Sequence, residues 1–287
     1  MLDCLIIGSG PAGVSAALTL KANGKSFVLF GSEDLSEKIV KAERIDNYPG
    51  LSSVSGRAFC DALKEQLTGA GIQIETKRVT GVYAMKDSVS VSLEGGEVLS
   101  ARTAILCCGV ETVKQIDGEA EFLGRGVSYC ATCDGFLYKG KTIAVISTSE
   151  RFEHEVLYLA DLAEKVYFIP LYKNVAVEKK NVLQLKKAPK RVEGARRVER
   201  LVFFGKTEES VQVDGVFMLK DSISPSALVG GLATENGHVL VDRNMRTNLK
   251  RIFAAGDVTG RPYQYAKAVG EGNVAAHAVC DTLKEEK

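Results

Sequence analysis

Two thiols set two residues apart are the part of this sequence best equipped for chemistry. The run SYCATCDGF places Cys130 and Cys133 in C-x-x-C spacing with Asp134 directly after. In this spacing one thiolate is stabilised by its neighbour, and the pair can cycle between dithiol and disulfide. A carboxyl beside the pair could move the proton that such a cycle takes up and releases. Two other readings compete. A zinc site needs a second pair of ligands, for which the chain offers the adjacent Cys107 and Cys108 and three scattered histidines, His154, His238 and His277. Two inert core cysteines are the plainer possibility, since free cysteine is often buried. Cys4, Cys60, Cys107, Cys108 and Cys280, all in apolar strand or helix contexts, are read that way. Seven cysteines, an odd number in a chain that reads as having no export signal, argue against a secreted disulfide framework.

A second group of residues could hold a phosphate. MLDCLIIGSGPAGVSAALTLKANGKSFVLF reads as an apolar strand, a glycine turn, a helix and a second apolar strand, a βαβ unit. Gly8 permits the tight turn, Gly10 removes a side chain where a pyrophosphate would approach, and Gly13 lets helix and strand pack closely. The helix start then offers free N–H groups to phosphate; a tight turn in any α/β domain is the alternative. The acidic residue expected about 20 positions on is displaced, because Phe30 ends the strand and Gly31 and Ser32 precede Glu33. Another strand-turn-helix begins at Lys141, but there TIAVISTSERFEHE places Ser147, Thr148 and Ser149 where glycines would stand. Ser147 and Glu150 fit the S-x-x-E spacing of a capping box, which would satisfy the helix N–H groups internally. Glu150, Glu153 and Glu155 add negative charge at the same end. The alternative is a remodelled loop whose hydroxyls and Arg151 still hold a phosphate.

These residues need a scaffold, and 287 of them suit one large domain or two of ordinary size. The net charge of +1 gives no overall pull toward nucleic acid or an acidic membrane. No stretch is long and apolar enough to span a bilayer, and the reading is a cytoplasmic protein without membrane contact. Between the two strand-turn-helix starts lie a polar loop with NYPG, a helix near 56 to 69 and short alternating strands ending in TAILCCG. After about residue 236 the chain returns to strand and turn, and an apolar-faced helix over roughly 264 to 284 closes it. The expected class is α/β, with two Rossmann-like three-layer domains of the FAD/NAD(P)-binding kind. Residues 1–112 and 236–287 would form one, and 113–235 the other, inserted into the first. Beyond VYFIP the insert is basic: from Lys173 to Lys206, eleven Lys or Arg against three Glu leave a local +8.

Five motifs follow one another along the chain: GSGPAG at 8–13, ERIDNYPG at 43–50, CATCDG at 130–135, AAGDVTG at 254–260 and AVGEGNVAA at 268–276. Together they resemble the low-molecular-weight thioredoxin reductases, nearly end to end. The resemblance implies an FAD flavoprotein, usually a homodimer, whose flavin domain is split around an insert carrying the redox-active cysteines. It implies Cys133 as the thiol facing the flavin, Cys130 as the one attacking the partner's disulfide, and Asp134 as the acid. The FAD contacts it carries over are Gly8, Ser9, Gly10, Pro11, Ala12, Gly13, Gly31, Ser32, Lys38, Asn47, Val79, Gly109, Gly256, Asp257, Gln264, Tyr265 and Ala266, with no metal. The last helix would aim its positive end at the isoalloxazine and favour the anionic reduced flavin.

The departures from that pattern are as informative as the matches. Lys38 stands where the family has Gln, Cys107-Cys108 where it has Ala-Thr, and Tyr263 where an Arg precedes Gln264. The family's NADPH loop aligns with the glycine-free Ser147–Phe152, and its phosphate-reading His-Arg-Arg with Pro170, Leu171 and Tyr172. No NADPH site is expected. The sequence resembles the subgroup that takes electrons from ferredoxin and passes them to thioredoxin, and the basic 173–206 segment would steer an acidic ferredoxin. A solvated strand edge is the plainer reading of that segment, and nucleic-acid binding is not expected without interleaved aromatics. The remaining alternatives are an NADPH-dependent reductase with an unorthodox site, a flavin disulfide oxidase, and a redox-sensing flavoprotein whose disulfide switches a binding surface.

Overall fold

A computed structural model describes residues 1–110, 115–205, 207–220 and 223–285. β1 (Leu2–Ile7) is apolar apart from Asp3 and buried from Cys4 onward, as a strand covered on both faces must be. After the glycine turn comes α1 (Pro11–Ala22), with Pro11 at its first position, where a missing N–H removes no helical bond. β2 (Phe27–Phe30) is followed by α2 (Glu37–Val40) and α3 (Gly56–Gly69). Ser55 starts α3 by accepting a hydrogen bond from the Ala58 amide, 3.2 Å away. β3 (Ile74–Glu75), β4 (Val79–Ala84), β5 (Val89–Leu93) and β6 (Val98–Leu106) complete this stretch.

The chain then builds β7 (Val127–Ser128), α4 (Ala131–Asp134), β8 (Thr142–Ser147), α5 (Glu153–Leu162), β9 (Lys165–Pro170) and β10 (Val182–Gln184). β11 (Pro189–Glu193), β12 (Arg200–Phe203) and β13 (Glu209–Gln212) form a separate antiparallel sheet before β14 (Gly215–Leu219). It closes with α6 (Pro225–Leu228), the small pair β15 (Thr234–Glu235) and β16 (His238–Val239), β17 (Ile252–Ala254) and α7 (Tyr265–Glu285).

Two compact units result. The first comprises Met1–Leu93, Glu97–Val110 and the described residues from Ser224 on; the second comprises Glu94–Gly96 and the described residues up to Ile223. The expected first junction at 112/113 lies outside the described residues. The second junction needs correcting, because the chain has rejoined the first unit by Ser224, not at 236: Val229 bridges Val82 of β4. α6 is a single turn, too short to leave a periodic signal in sequence.

In the first unit the sheet runs β3-β2-β1-β6-β5-β4, and β6 serves two neighbours along one edge. Its first part pairs antiparallel with β5, Ala101 opposite Val89, while Ala104–Leu106 pair in parallel with Ile252–Ala254 of β17. In the second unit the order is β10-β9-β8-β14-β7, all parallel, so both units are of the doubly wound α/β kind.

α1 and α7 approach closely because both present small residues, Ala12, Ala16, Ala275 and Ala276 among them, all buried. A Cβ added at Gly272 would lie 2.1 Å from the Ala12 carbonyl oxygen. Ser15 and Asn273 hold the crossing with hydrogen bonds to the Val269 carbonyl (2.7 Å) and the Thr19 hydroxyl (3.0 Å). Since backbone cannot yield as a side chain can, Gly272→Val should cost roughly 3 kcal/mol or more. Gly270→Ala, with nothing within 4 Å of the added Cβ, should instead gain roughly 0.5–1 kcal/mol from helix propensity. Urea unfolding of the two variants checks both signs.

Candidate active site

The first unit's glycine turn is shaped by two different demands. Gly8 has φ +115°, and a Cβ there would lie 2.2 Å from the Cys107 carbonyl oxygen, while one at Gly13 would lie 1.8 Å from the Gly8 carbonyl oxygen. Both are required by the protein's own backbone. At Gly10 an added Cβ would meet nothing within 4 Å. Its bareness opens space in front of α1, whose first amides have no side-chain cap. Free helix N–H groups facing open space suit a phosphate, so the turn fits the pyrophosphate of a dinucleotide such as a flavin cofactor. Pro11 and Ala12 begin the helix behind it, both buried.

The remaining cofactor candidates are tied together by hydrogen bonds. The Ser9 hydroxyl accepts from the Ser32 amide (2.9 Å) and donates toward the Ser32 and Leu35 carbonyls (3.1 and 3.2 Å). It is therefore used inside the protein, and Gly31 is needed because its Cβ would fall 2.1 Å from that hydroxyl. Lys38 donates to the carbonyl of Val110 (3.0 Å), next to Gly109 at φ +69°. Asn47 donates to Gln264 (2.7 Å), joining the NYPG loop to the start of α7, where the Tyr265 ring lies 5.4 Å from that of Phe59 and Ala266 is exposed. Val79 stands apart, opening β4 three places from β1 in the sheet.

Lys267 and Glu271, which the sequence reading did not single out, organise the turn carrying Asp257. Glu271 accepts from the Gly256 amide and the Thr259 hydroxyl, both at 2.8 Å. Lys267 donates to the Gly256 and Gly260 carbonyls and the Thr259 hydroxyl, each at 2.9 Å. Gly256, at φ +90°, and Asp257 are thus pinned to the first turns of α7. Burial pushes the Asp257 carboxyl up, against the pull of Lys267 and Lys38 downward. The signal that could have revealed the pair was its i, i+4 spacing on α7 right after the AAGDVTG turn.

In the second unit Cys130 and Cys133 form a disulfide, Cα atoms 5.3 Å apart, so in this state they ligate no metal. Cys130 is buried and Cys133 partly exposed. Cys130 Sγ caps α4 by accepting from the Cys133 amide at 3.2 Å. Asp134 accepts from the Ser128 hydroxyl at 2.6 Å, and the Cys130 amide donates to that same hydroxyl at 3.1 Å. Ser128 thus fixes the carboxyl and the thiol backbone in one arrangement.

The β8–α5 turn is closed, though not by the expected capping box. Ser147 ends β8 buried and donates to the Ser149 carbonyl (2.9 Å), and Thr148 bonds to the Leu219 carbonyl. Ser149, not Ser147, is the capping residue, and it caps a 3₁₀ turn, Glu150–Phe152, inserted ahead of α5. The strand continues one residue further than the spacing argument allowed, which moves Ser147 out of capping reach. Glu153, in the first turn of α5, accepts from the Tyr172 hydroxyl (2.8 Å) and the Ala176 amide (3.0 Å). A carboxylate and its own partners therefore occupy this helix start.

Part of the basic segment is ion-paired. Lys179 pairs with Asp161, Lys187 with Glu209, Lys190 with Glu208, and Arg191 and Arg200 with Glu193, so acids outside the counted window offset it. Lys206 lies outside the described residues.

A pyrophosphate-ready turn on one unit and a disulfide beside a held carboxyl on the other define a disulfide oxidoreductase with a flavin cofactor. Residues 2–148 and 169–272 match the family described as pyridine nucleotide-disulphide oxidoreductase; the break starts at the glycine-free turn. The thioredoxin reductase of Treponema pallidum (strain Nichols) is 32% identical over 98% of this chain and 98% of its own. Among solved structures, a ferredoxin-flavin thioredoxin reductase from Clostridium acetobutylicum is 44% identical with TM-score 0.89, covering 99% of this chain and 98% of that one. The atypical thioredoxin reductase TRi from Desulfovibrio vulgaris Hildenborough is 29% identical with TM-score 0.73, over 100% and 99%. The chain belongs to the pyridine nucleotide-disulphide oxidoreductases and, within them, to the thioredoxin reductases. No helix among the described residues is long and apolar enough to cross a membrane.

The five other cysteines should be quiet. Burial pushes the thiol of Cys4 up to about 12 and that of the partly exposed Cys108 up to about 11, and holds Cys107 well above the usual thiol range. At pH 8, iodoacetamide should leave these three unmodified, and mild reduction should add two labelled sites, Cys130 and Cys133. Cys108 labelling should keep rising about tenfold per pH unit beyond pH 9, because its thiolate is still the minor form there. Peptide mass spectrometry reads each site.

Proposed function

We propose that the chain is an FAD-dependent thioredoxin reductase that takes its electrons from reduced ferredoxin and not from NADPH. The contrast between the two strand–helix turns carries this reading: one is open at Gly10, and the other is filled by Ser147, Thr148 and the Ser149-capped turn. The Clostridium acetobutylicum structure, described as a ferredoxin-flavin thioredoxin reductase, supports it. Bound FAD would supply a store that takes up electrons singly and gives them out as a pair. The turn at Gly8–Gly13 would take its pyrophosphate, with Asp257, Asn47 and Gln264 as further contacts.

At the disulfide, the Cys130 thiolate would attack one sulfur of oxidised thioredoxin, forming a mixed disulfide and releasing one thioredoxin thiolate. Cys133 would then attack Cys130 Sγ, closing the internal disulfide and freeing the second thiol. Asp134, held by Ser128, would move the proton. Phe136 and Leu137, both exposed just after Asp134, present an apolar surface for such a protein substrate. The driving force suffices, since a ferredoxin near −400 mV lies about 130 mV below thioredoxin, roughly 6 kcal/mol for two electrons. A homodimer in the cytoplasm belongs to the same reading, as does steering of ferredoxin by the part of the basic segment that is not ion-paired.

Mixed anaerobically with NADPH, the purified protein should keep its yellow oxidised flavin; reduced ferredoxin should bleach it and then reduce thioredoxin. Cys133→Ser should bleach normally but lose thioredoxin turnover by at least about 10³-fold. Bleaching by NADPH at a rate that supports turnover would sink the proposal.

A further inference from the structure

The second unit contains an ion pair that the chemistry above does not use. Glu119 and Lys220 have side chains 0% and 1% exposed, with Lys220 Nζ 2.6 Å from Glu119 Oε1. The Tyr129 hydroxyl donates to the same oxygen at 2.5 Å, and the Ile116 amide donates to Glu119 Oε2 at 3.0 Å. Lys220 Nζ also lies 5.9 Å from the centre of the Tyr129 ring. Tyr129, itself buried, is the residue immediately before Cys130.

A buried ion pair is poor evidence for stability, because apolar residues of similar volume often serve the fold as well or better. What this one holds is more telling. The segment leading to Cys130 joins the sheet through β7, only two residues long, with Val127 opposite Val216 and Ser128 opposite Phe217 of β14. Beyond it, α4 is a single turn of four residues, and a single turn is not stable alone. In the oxidised state the disulfide ties the two ends of that turn together. Once it opens, the tie is lost, and the backbone at Cys130 is left to the burial of Ala131, to the Ser128 hydroxyl that accepts from the Cys130 amide, and to Tyr129, fastened to Glu119 and Lys220.

We propose that the Lys220–Glu119–Tyr129 network is a positioning device for the redox pair, holding the backbone at Cys130 in place when the Cys130–Cys133 bond is reduced. It rests on the reading that this pair cycles between disulfide and dithiol. The network matters more to the dithiol form, so weakening it disfavours reduction and moves the equilibrium toward disulfide. A role in stability alone would weaken both forms equally and leave the equilibrium where it is.

The test is a redox titration of the holoenzyme in dithiothreitol buffers, with the Cys130 and Cys133 thiols counted by alkylation and mass spectrometry. Wild-type protein should titrate reversibly; failure to do so would refute the reading of the pair itself, not the role of the network. Tyr129→Phe, which removes one hydroxyl and leaves the ion pair, should favour the disulfide about threefold. The double variant Glu119→Leu with Lys220→Met, which removes both members of the pair together, should favour it at least tenfold, about 30 mV. If the double variant does not fold, Tyr129→Phe decides alone. A shift below twofold in Tyr129→Phe, with oxidised and reduced forms equally destabilised, overturns the proposal.

Discussion

The amides at the start of a helix have no partner within it, and whether that partner is the protein or a ligand separates the two units of this chain. At α1 the partner must come from outside, because Gly10 has no side chain and an added Cβ would meet nothing. At α5 a 3₁₀ turn stands ahead of the helix: Ser149 accepts from the Arg151 amide, the Glu153 amide donates to the Glu150 carbonyl, and the Glu153 carboxylate holds the Tyr172 hydroxyl and the Ala176 amide at the same end. A negative carboxylate at a helix start is favourable in itself, so the closed turn is a stable solution and not a damaged one.

The helix of the second unit supports the disulfide turn. Ala131, between the two cysteines, is fully buried in a core with Phe152, Val156 and Leu159 of the α5 region. Gly135, just after Asp134, lies so close that a Cβ would be 3.1 Å from Leu159 Cδ2. α5 is therefore the helix on which the disulfide turn rests. Ser128 then sets Asp134 and the Cys130 amide from the side of β7.

The sequence displayed the architecture well where local rules decide it. α3 spans 56–69, as its pattern implies, and α7 differs from expectation by one residue at each end. Gly8, Gly10 and Gly13 divide as their places in the motif imply, the first and last demanded by backbone contact and the middle one left open. Other features depend on residues far apart in the chain and had no local signature. Glu119 and Lys220 are a hundred and one positions apart, and each alone reads as a surface charge. The basic run from Lys173 is less unbalanced than its window suggests, because Asp161, Glu208 and Glu209 pair with it from outside. The S-x-x-E spacing misled because β8 runs through Ser147, which no four-residue pattern can report.

β6 takes β5 on one part of its edge and β17 on the other, although Leu93 and Ile252 lie far apart along the chain. On the ribosome, the amino-terminal strands therefore emerge well before the segment that completes their sheet. The insert is nearly continuous and is made entirely in between, so it is free to fold first, while Ala104–Leu106 wait as an unpaired edge. Closure of the discontinuous unit is then a late event in biosynthesis, waiting on the synthesis of β17.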